Sequence, residues 1–192
     1  MILSYDGRTD TGKVRQRNED CVRVEPEMGL FIVADGMGGY AGGDVASSIA
    51  CDIIASQVKA GWDRVEQFIA ASTGDGLVPS ECLRSRQQVM TLLGEAICAA
   101  DVEIQRVAAV DAAAGSDALT GMGSTVVVAL VAGSRLFVAH VGDSRAYLLR
   151  RHVAVRLTAD HSLLQGLVDG GMISSADVAR FPMKNVLTRA LG

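Results

Sequence analysis

Apolar positions along this chain change rhythm several times, and each rhythm predicts an element. Runs of strand length come first: Ile2 to Tyr5, Cys21 to Glu25, and Leu30 to Ala34. The last is an unbroken apolar block, which predicts a strand buried on both faces and ending at Asp35. A helical spacing follows. Val45, Ala46, Ile49, Ala50, Ile53, Ile54 and Val58 predict a helix from about Asp44 to Lys59, with Asp44 as its cap. Val89, Leu93, Ala96, Ile97, Ala100, Ile104 and Val107 predict a second long helix. Asp111 to Gly123, rich in Ala, Gly and Ser, reads as a loop. Beyond it Thr125 to Val131, Arg135 to Val141, Ala146 to Arg150 and Val153 to Leu157 predict an antiparallel meander, with tight turns at Gly133-Ser134 and Arg151-His152. Strands, two amphipathic helices that need a sheet to cover, then strands: this order predicts an α/β (α+β) sandwich of helices on sheets rather than βαβ alternation. No internal repeat or low-complexity linker interrupts it.

Composition narrows the picture. A length of 192 residues suits one domain spanning the whole chain, 1–192. Only 4% of residues are aromatic against 49% hydrophobic, so the core is expected to be built from Ala, Val, Ile and Leu. Glycine, at 21 residues, exceeds the roughly 13 of an average chain and gathers in turns. A formal charge of −4 gives no general attraction to nucleic acid or to an anionic membrane, so neither is expected as a partner. The stretch Arg145 to Arg156 reads as a solvated strand edge. The N-terminus lacks the basic and apolar segments of a signal peptide, and the longest apolar run, Val126 to Ala132, is too short to span a bilayer. A cytoplasmic protein is expected. Cys21, Cys51, Cys82 and Cys98 are scattered without a C-x-x-C pair, which predicts free buried thiols. None has an arginine six positions later, which argues against a cysteine-dependent phosphatase.

Candidate chemistry concentrates at three turns. Asp35-Gly36-Met37-Gly38-Gly39 delivers a carboxylate from a strand into a glycine-rich bend, where carbonyl oxygens can approach whatever the carboxylate holds. Oxygen donors of this kind suit Mg²⁺ or Mn²⁺. Arg15-Gln16-Arg17-Asn18-Glu19-Asp20 combines a planar guanidinium able to grip phosphate oxygens with acids able to orient metal-bound water, though a solvated charged turn would look the same. Gly142-Asp143-Ser144-Arg145 again follows an apolar strand, and a plain type I turn would also explain it. Two other motifs fail. Gly7-Arg8-Thr9-Asp10-Thr11-Gly12-Lys13-Val14 approaches a Walker A loop, but Val14 stands where Ser or Thr must bind Mg²⁺. Gly36-x-Gly38-x-x-Ala41 mimics a dinucleotide-binding turn, but Asp35 would repel a pyrophosphate.

Taken together, the segments Asp10 to Asp20, Val33 to Gly39, Gly123-Ser124-Thr125, Val141 to Arg145 and Leu157 to Ser162 resemble the metal-dependent Ser/Thr protein phosphatases of the PP2C (PPM) family, in its compact bacterial branch. The resemblance implies an α-β-β-α four-layer sandwich with a dinuclear Mn²⁺ or Mg²⁺ centre between the sheets and a mobile flap at about 162–185. It implies that Asp35 bridges the two metals, that the Gly36 carbonyl ligates one, and that Glu19 and Asp20 act mainly through metal-bound waters. Arg15 resembles the phosphate-gripping arginine, and Asp143 a ligand of a third, weaker metal. The implied reaction is hydrolysis of phosphoserine or phosphothreonine monoesters by an activated water, with no covalent phosphoenzyme. Implied partners are phosphoprotein substrates, including a bacterial Ser/Thr kinase and its targets.

Met37 stands where many animal relatives carry a proton-donating histidine, which leaves proton delivery to a metal-bound water or to His161, next to Ser162 at the flap. The chain stops at Gly192, before the strands that in relatives bring the remaining metal-binding aspartates. Weak metal binding, unpaired sheet edges and self-association are therefore expected, and the chain reads as an engineered or proteolysed piece. The competing reading is a catalytically inactive phosphatase-like binding module.

Overall fold

A computed structural model describes residues 3–38, 42–73, 79–174, 177–178 and 181–192. Strand β1 (Asp20–Glu25) and strand β2 (Leu30–Met37) are joined through a 3₁₀ turn, Pro26–Met28, that ends on Gly29 in the left-handed region. Helices α1 (Gly42–Ala60), α2 (Trp62–Thr73) and α3 (Pro79–Ala113) follow. After them come β3 (Gly123–Ser124), β4 (Val126–Ala132), β5 (Arg135–Val141), β6 (Tyr147–Arg150), β7 (Val153–Arg156) and helix α4 (Leu163–Asp169). The first five strands form one antiparallel sheet in the order β1-β2-β4-β5, with β3 paired to the far end of β2. β6 and β7 form a separate hairpin sheet. The mixed α/β fold with antiparallel sheets is the one expected.

Helix α1 lies on β1 and β2, while α3 packs mainly along α1 and reaches the sheet at β5. Ala46, Ala50, Cys51, Ile54 and Val58 of α1 meet Leu30, Ile32 and Ala34 of β2 and Val126, Val128 and Leu130 of β4 in one core. Phe68 of α2 sits edge-on to Phe137 of β5, with ring centroids 5.0 Å apart. Of the predicted helical stripes, Ala46, Ala50, Ile54 and Val58 on α1 and Val89, Leu93, Ala96, Ile97, Ala100 and Ile104 on α3 are buried, while Val45, Ile49, Ile53 and Val107 are half-buried against them.

Several expectations change. Residues 3–5 form no strand, and Ile2 lies outside the described residues. β2 is covered on one face only: Leu30, Ile32 and Ala34 are buried, but Val33 is 45% exposed, because the helices cover a single side. The strand also runs two residues past Asp35, to Met37. Asp44 is not a cap but lies in the first turn of α1, and Gly39 of the glycine-rich turn, with residues 40 and 41, lies outside the described residues. Helix α2 was not anticipated, and Asp111 to Ala113 belong to α3 rather than to a loop. The four late strands are two hairpins in different sheets rather than one meander, since β5 and β6 do not pair. Cys51 is buried, but Cys21 and Cys82 are half-buried and Cys98 is exposed, so the thiols are free without all being core. The last residues return to the core: Leu191 is buried and exchanges two 2.9 Å backbone hydrogen bonds with Ser124, and the Gly192 N–H donates to Asp101.

Candidate functional site

Where β2 outruns its full pairing, the backbone is arranged around Asp35. The Asp35 N–H donates to the Thr125 hydroxyl at 3.2 Å and its carbonyl accepts the Thr125 N–H at 2.9 Å, so the short break between β3 and β4 falls opposite the acid. Thr125 in turn shares a 2.7 Å hydroxyl contact with Ser144, which ties the Asp35 turn to the turn bearing Asp143. Gly142 makes this possible, since a Cβ there would fall 2.6 Å from the Thr125 side chain and its φ is +101°.

On the other side, the first turn of α1 presses against β2. A Cβ on Gly36 would sit 1.9 Å from the Gly43 carbonyl oxygen. The Gly36 N–H donates to the Glu19 carbonyl at 3.0 Å, and the Ser47 hydroxyl donates to the same oxygen at 2.6 Å. Glu19 is thereby fixed at the cavity wall. Asp20 stands opposite Asp35 in the β1–β2 register. Its loop is held by Asn18, which accepts the Asp20 N–H and donates to the Thr9 hydroxyl.

The resulting cavity, of about 270 Å³, is lined by Arg15, Glu19, Asp35, Gly36, Asp143 and Asn185, with Met37, Gly38, Thr125 and Leu187 completing it. The Arg15 guanidinium is 3.6 Å from Glu19 and its side chain is 65% exposed. Burial pushes the Asp35 carboxyl above its ordinary range. The Asp20 charge, a hydrogen bond shared with Asp20, and the Asp143 charge push the same way, against the pull of Arg15. Five of the predicted residues, Arg15, Glu19, Asp35, Gly36 and Asp143, thus share one cavity, and Asp20 adjoins it.

Among the described residues, no three His, Cys, Asp or Glu side chains close on one point as a finished metal site would. The acids instead face one another around the cavity. An all-oxygen set with a half-buried carboxylate under like-charge pressure fits a hard divalent cation, which would relieve the repulsion that one exposed arginine leaves standing.

His161 and Ser162 are placed differently. His161 accepts the Gly142 N–H at Nδ1, 3.2 Å away, and stacks on His140 with ring centroids 4.5 Å apart. Burial, with the positive charges of His140 and Arg189, lowers its pKa. Ser162 caps α4 by accepting the Gln165 N–H and bridges to Leu187. Neither lines the cavity. Ser162 lines a neighbouring groove beneath α4 that also shares Asp143 and Asn185 with the cavity. Within the predicted flap, 163–169 is helical, while 175, 176, 179 and 180 lie outside the described residues.

Sequence reasoning missed Asn185 and the Asp160 knot. Arg145 grips both Asp160 oxygens at 2.9 and 2.5 Å, and Arg156 adds a third bond at 2.6 Å. Two of the stretch's arginines are therefore paired rather than loose on a strand edge. The only signal was an acid four residues beyond Arg156, too weak to act on.

Comparison with known proteins gives the cavity a context. The family model described as Protein phosphatase 2C matches residues 6–164. The serine/threonine phosphatase stp of Listeria monocytogenes is 38% identical over 188 residues, which is 96% of this chain and 65% of that protein. The serine/threonine protein phosphatase PstP of Mycobacterium tuberculosis is 34% identical over all of this chain and 31% of its own length. The crystal structure of the M. tuberculosis serine/threonine phosphatase PstP/Ppp superposes with a TM-score of 0.73 at 32% identity, covering 96% of this chain and 66% of that one. A PstP catalytic domain solved in complex with two manganese ions gives 0.67 at 31%, over 96% and 64%. The chain thus spans about two-thirds of the Listeria protein and under a third of the mycobacterial one.

Proposed function

The chain belongs to the protein phosphatase 2C family, and on that footing we propose that it acts as a metal-dependent protein Ser/Thr phosphatase on phosphoserine and phosphothreonine monoesters. One observation carries this reading: Asp35, half-buried and held by Thr125, faces Asp20 and Asp143, against which the exposed Arg15 pulls. Such an arrangement is costly unless a cation completes it.

In this reading Asp35 and the Gly36 carbonyl hold two divalent cations, Mn²⁺ or Mg²⁺, with Glu19 and Asp20 orienting water around them and Asp143 favouring a third, weaker site. When bound, the cations supply an activated water for in-line attack on phosphorus. Arg15, exposed at the rim, takes the phosphate oxygens in its planar fork. The Thr125–Ser144 bridge keeps the two acidic turns at fixed separation. Met37 lines the cavity without a proton to give, and His161, engaged with Gly142, is a positioning residue, so the leaving alcohol takes its proton from solvent in the open cavity. Residues 162–185 form the flap that selects the protein around the phosphate, whose sources include a bacterial Ser/Thr kinase and its targets. The site of action is the cytoplasm; no helix among the described residues is long and apolar enough to cross a membrane.

The test is hydrolysis of a phosphothreonine peptide across a Mn²⁺ titration, with Asp35→Asn alongside. Saturable turnover that Asp35→Asn abolishes is expected, with Arg15→Ala raising KM more than it lowers kcat. Turnover unchanged in the Asp35 variant overturns the metal-bridge role. Mn²⁺ binding without turnover would leave a binding module in place of an enzyme.

A further inference from the structure

An apolar cleft lies away from the acidic cavity, at the outer side of β5. Phe68 of α2, Cys82, Leu83, Arg86 and Met90 of α3, and the β5 segment Arg135–Val138 enclose a cleft of about 340 Å³. Its floor is the Phe68–Phe137 pair, and Leu83, Met90 and Leu136 at its mouth are exposed. Arg135 lies six positions along the strand from Val141, the residue before the Gly142-Asp143 turn, so the Arg135 end of the cleft is roughly 20 Å from the phosphatase cavity.

Three independent features of this cleft select the same occupant. First, β5 ends its sheet, paired on one side with β4 and on the other with nothing among the described residues. The β4–β5 hairpin closes through a two-residue turn between Ala132 and Arg135, so alternate residues point their backbone groups at β4. Leu136 and Val138 accordingly present N–H and C=O groups outward, and among the described residues no backbone partner meets them. Second, the cleft behind this edge has room for one apolar side chain on an aromatic floor. Third, Arg86 and Arg135 flank it, and neither is ion-paired among the described residues, whereas Arg145 and Arg156 are. On a chain with a net charge of −4, two uncompensated guanidinium groups around an apolar cleft point to carboxylates.

We propose that the outer edge of β5 and the cleft behind it form a docking site for an extended acidic segment of a partner protein, which adds as a strand beside β5. Its backbone bonds to Leu136 and Val138, one apolar side chain enters the cleft over Phe68 and Phe137, and carboxylates meet Arg86 and Arg135. The distance from the acidic cavity would let a partner stay tethered here while its phosphorylated residue is processed, or bind with no effect on turnover.

A fluorescein-labelled eight-residue peptide alternating Glu with Val and Leu is the probe, read by fluorescence anisotropy against the intact chain. Binding is expected to weaken at least about tenfold in the Arg86→Glu, Arg135→Glu double variant and with a peptide N-methylated at alternate residues, which cannot form the ladder. A matched Lys-alternating peptide should not bind. Circular dichroism confirms that the double variant stays folded, as both side chains are exposed. The proposal is overturned if no binding is seen up to about 1 mM, if the charge-reversed variant binds equally well, or if the N-methylated peptide is unaffected. Sedimentation showing the β5 edge occupied by a second copy of this chain would overturn it as well. A phosphothreonine peptide assay on the same double variant keeps the two proposals separate, since neither arginine touches the acidic cavity.

Discussion

Asp35 is set apart by what surrounds it, and the direction of its pKa shift follows from those neighbours. Burial and the neighbouring Asp20 and Asp143 raise its pKa, so the folded state holds that proton more tightly than the unfolded chain does. The group therefore favours folding at low pH, and its contribution falls away as pH rises from the ordinary carboxylate range through the raised folded value. Asp35→Asn removes the charge. Without divalent ions, the variant should melt higher than the parent at pH 7 and show a flatter stability profile across that window, while Mn²⁺ should raise the melting temperature of the parent alone. Calorimetry with EDTA and with Mn²⁺ checks both. A parent that melts at the same temperature with and without Mn²⁺ would separate Asp35 from metal binding.

At the scale of elements, two close approaches hold the site together. β2 and α1 meet at Gly36 and Gly43 with no room for a Cβ between them. Gly36→Ala should cost about 2–4 kcal/mol, because backbone on both sides must shift. Gly94→Ala, on the exposed face of α3 with nothing within 4 Å of the added carbon, should instead gain about 0.5–1 kcal/mol. Urea melts of the two variants provide the contrast, and a Gly36→Ala chain of parental stability would refute the close-packing account. The second approach is the Asp160 knot, which joins Arg145, two residues before β6, to Arg156 at the end of β7. Its side chain is 9% exposed, and the hydrogen bonds from Arg145 hold its pKa below the ordinary range. Its stabilisation is thus present above the ordinary carboxylate range and lost as pH falls through the lowered folded value. Asp160→Asn should cost about 1–3 kcal/mol at pH 7 and progressively less as pH falls below the ordinary carboxylate range, measured by the same melts.

Over the whole molecule, apolar surface is unevenly covered. The helix side of the main sheet is dry, while the β6–β7 hairpin leaves Tyr147, Leu149, Val153 and Val155 more than half exposed. A two-stranded ribbon is marginal alone, and an open apolar one invites pairing. The chain is expected to self-associate with rising concentration. Val153 and Val155 lie two residues apart on one face of β7, so Val153→Lys with Val155→Lys should shift sedimentation toward the monomer without lowering the melting temperature. An unchanged oligomer distribution would place the association elsewhere.

The sequence by itself determined the elements whose periodicity is long and uninterrupted: β2, β4, β5, α1 and the central half of α3 follow from the spacing of apolar residues alone. It also marked Asp35, Arg15, Glu19 and Asp143 as candidates, because they occur in turns whose polar residues can be read locally, and the structure brings these four to one cavity. Tertiary structure decided the rest. Whether β2 is covered on one face or two depends on which helices land on it, and no local pattern encodes that. The separation of β6–β7 from β5 depends on where Gly142 turns the chain, which is set by its contact with Thr125, distant in sequence. Asn185, the Asp160 knot and the Gly36–Gly43 contact share this origin. Each joins residues whose neighbourhood exists only after the chain has packed, so the determining quantity is a distance through space, which spacing along the chain does not contain.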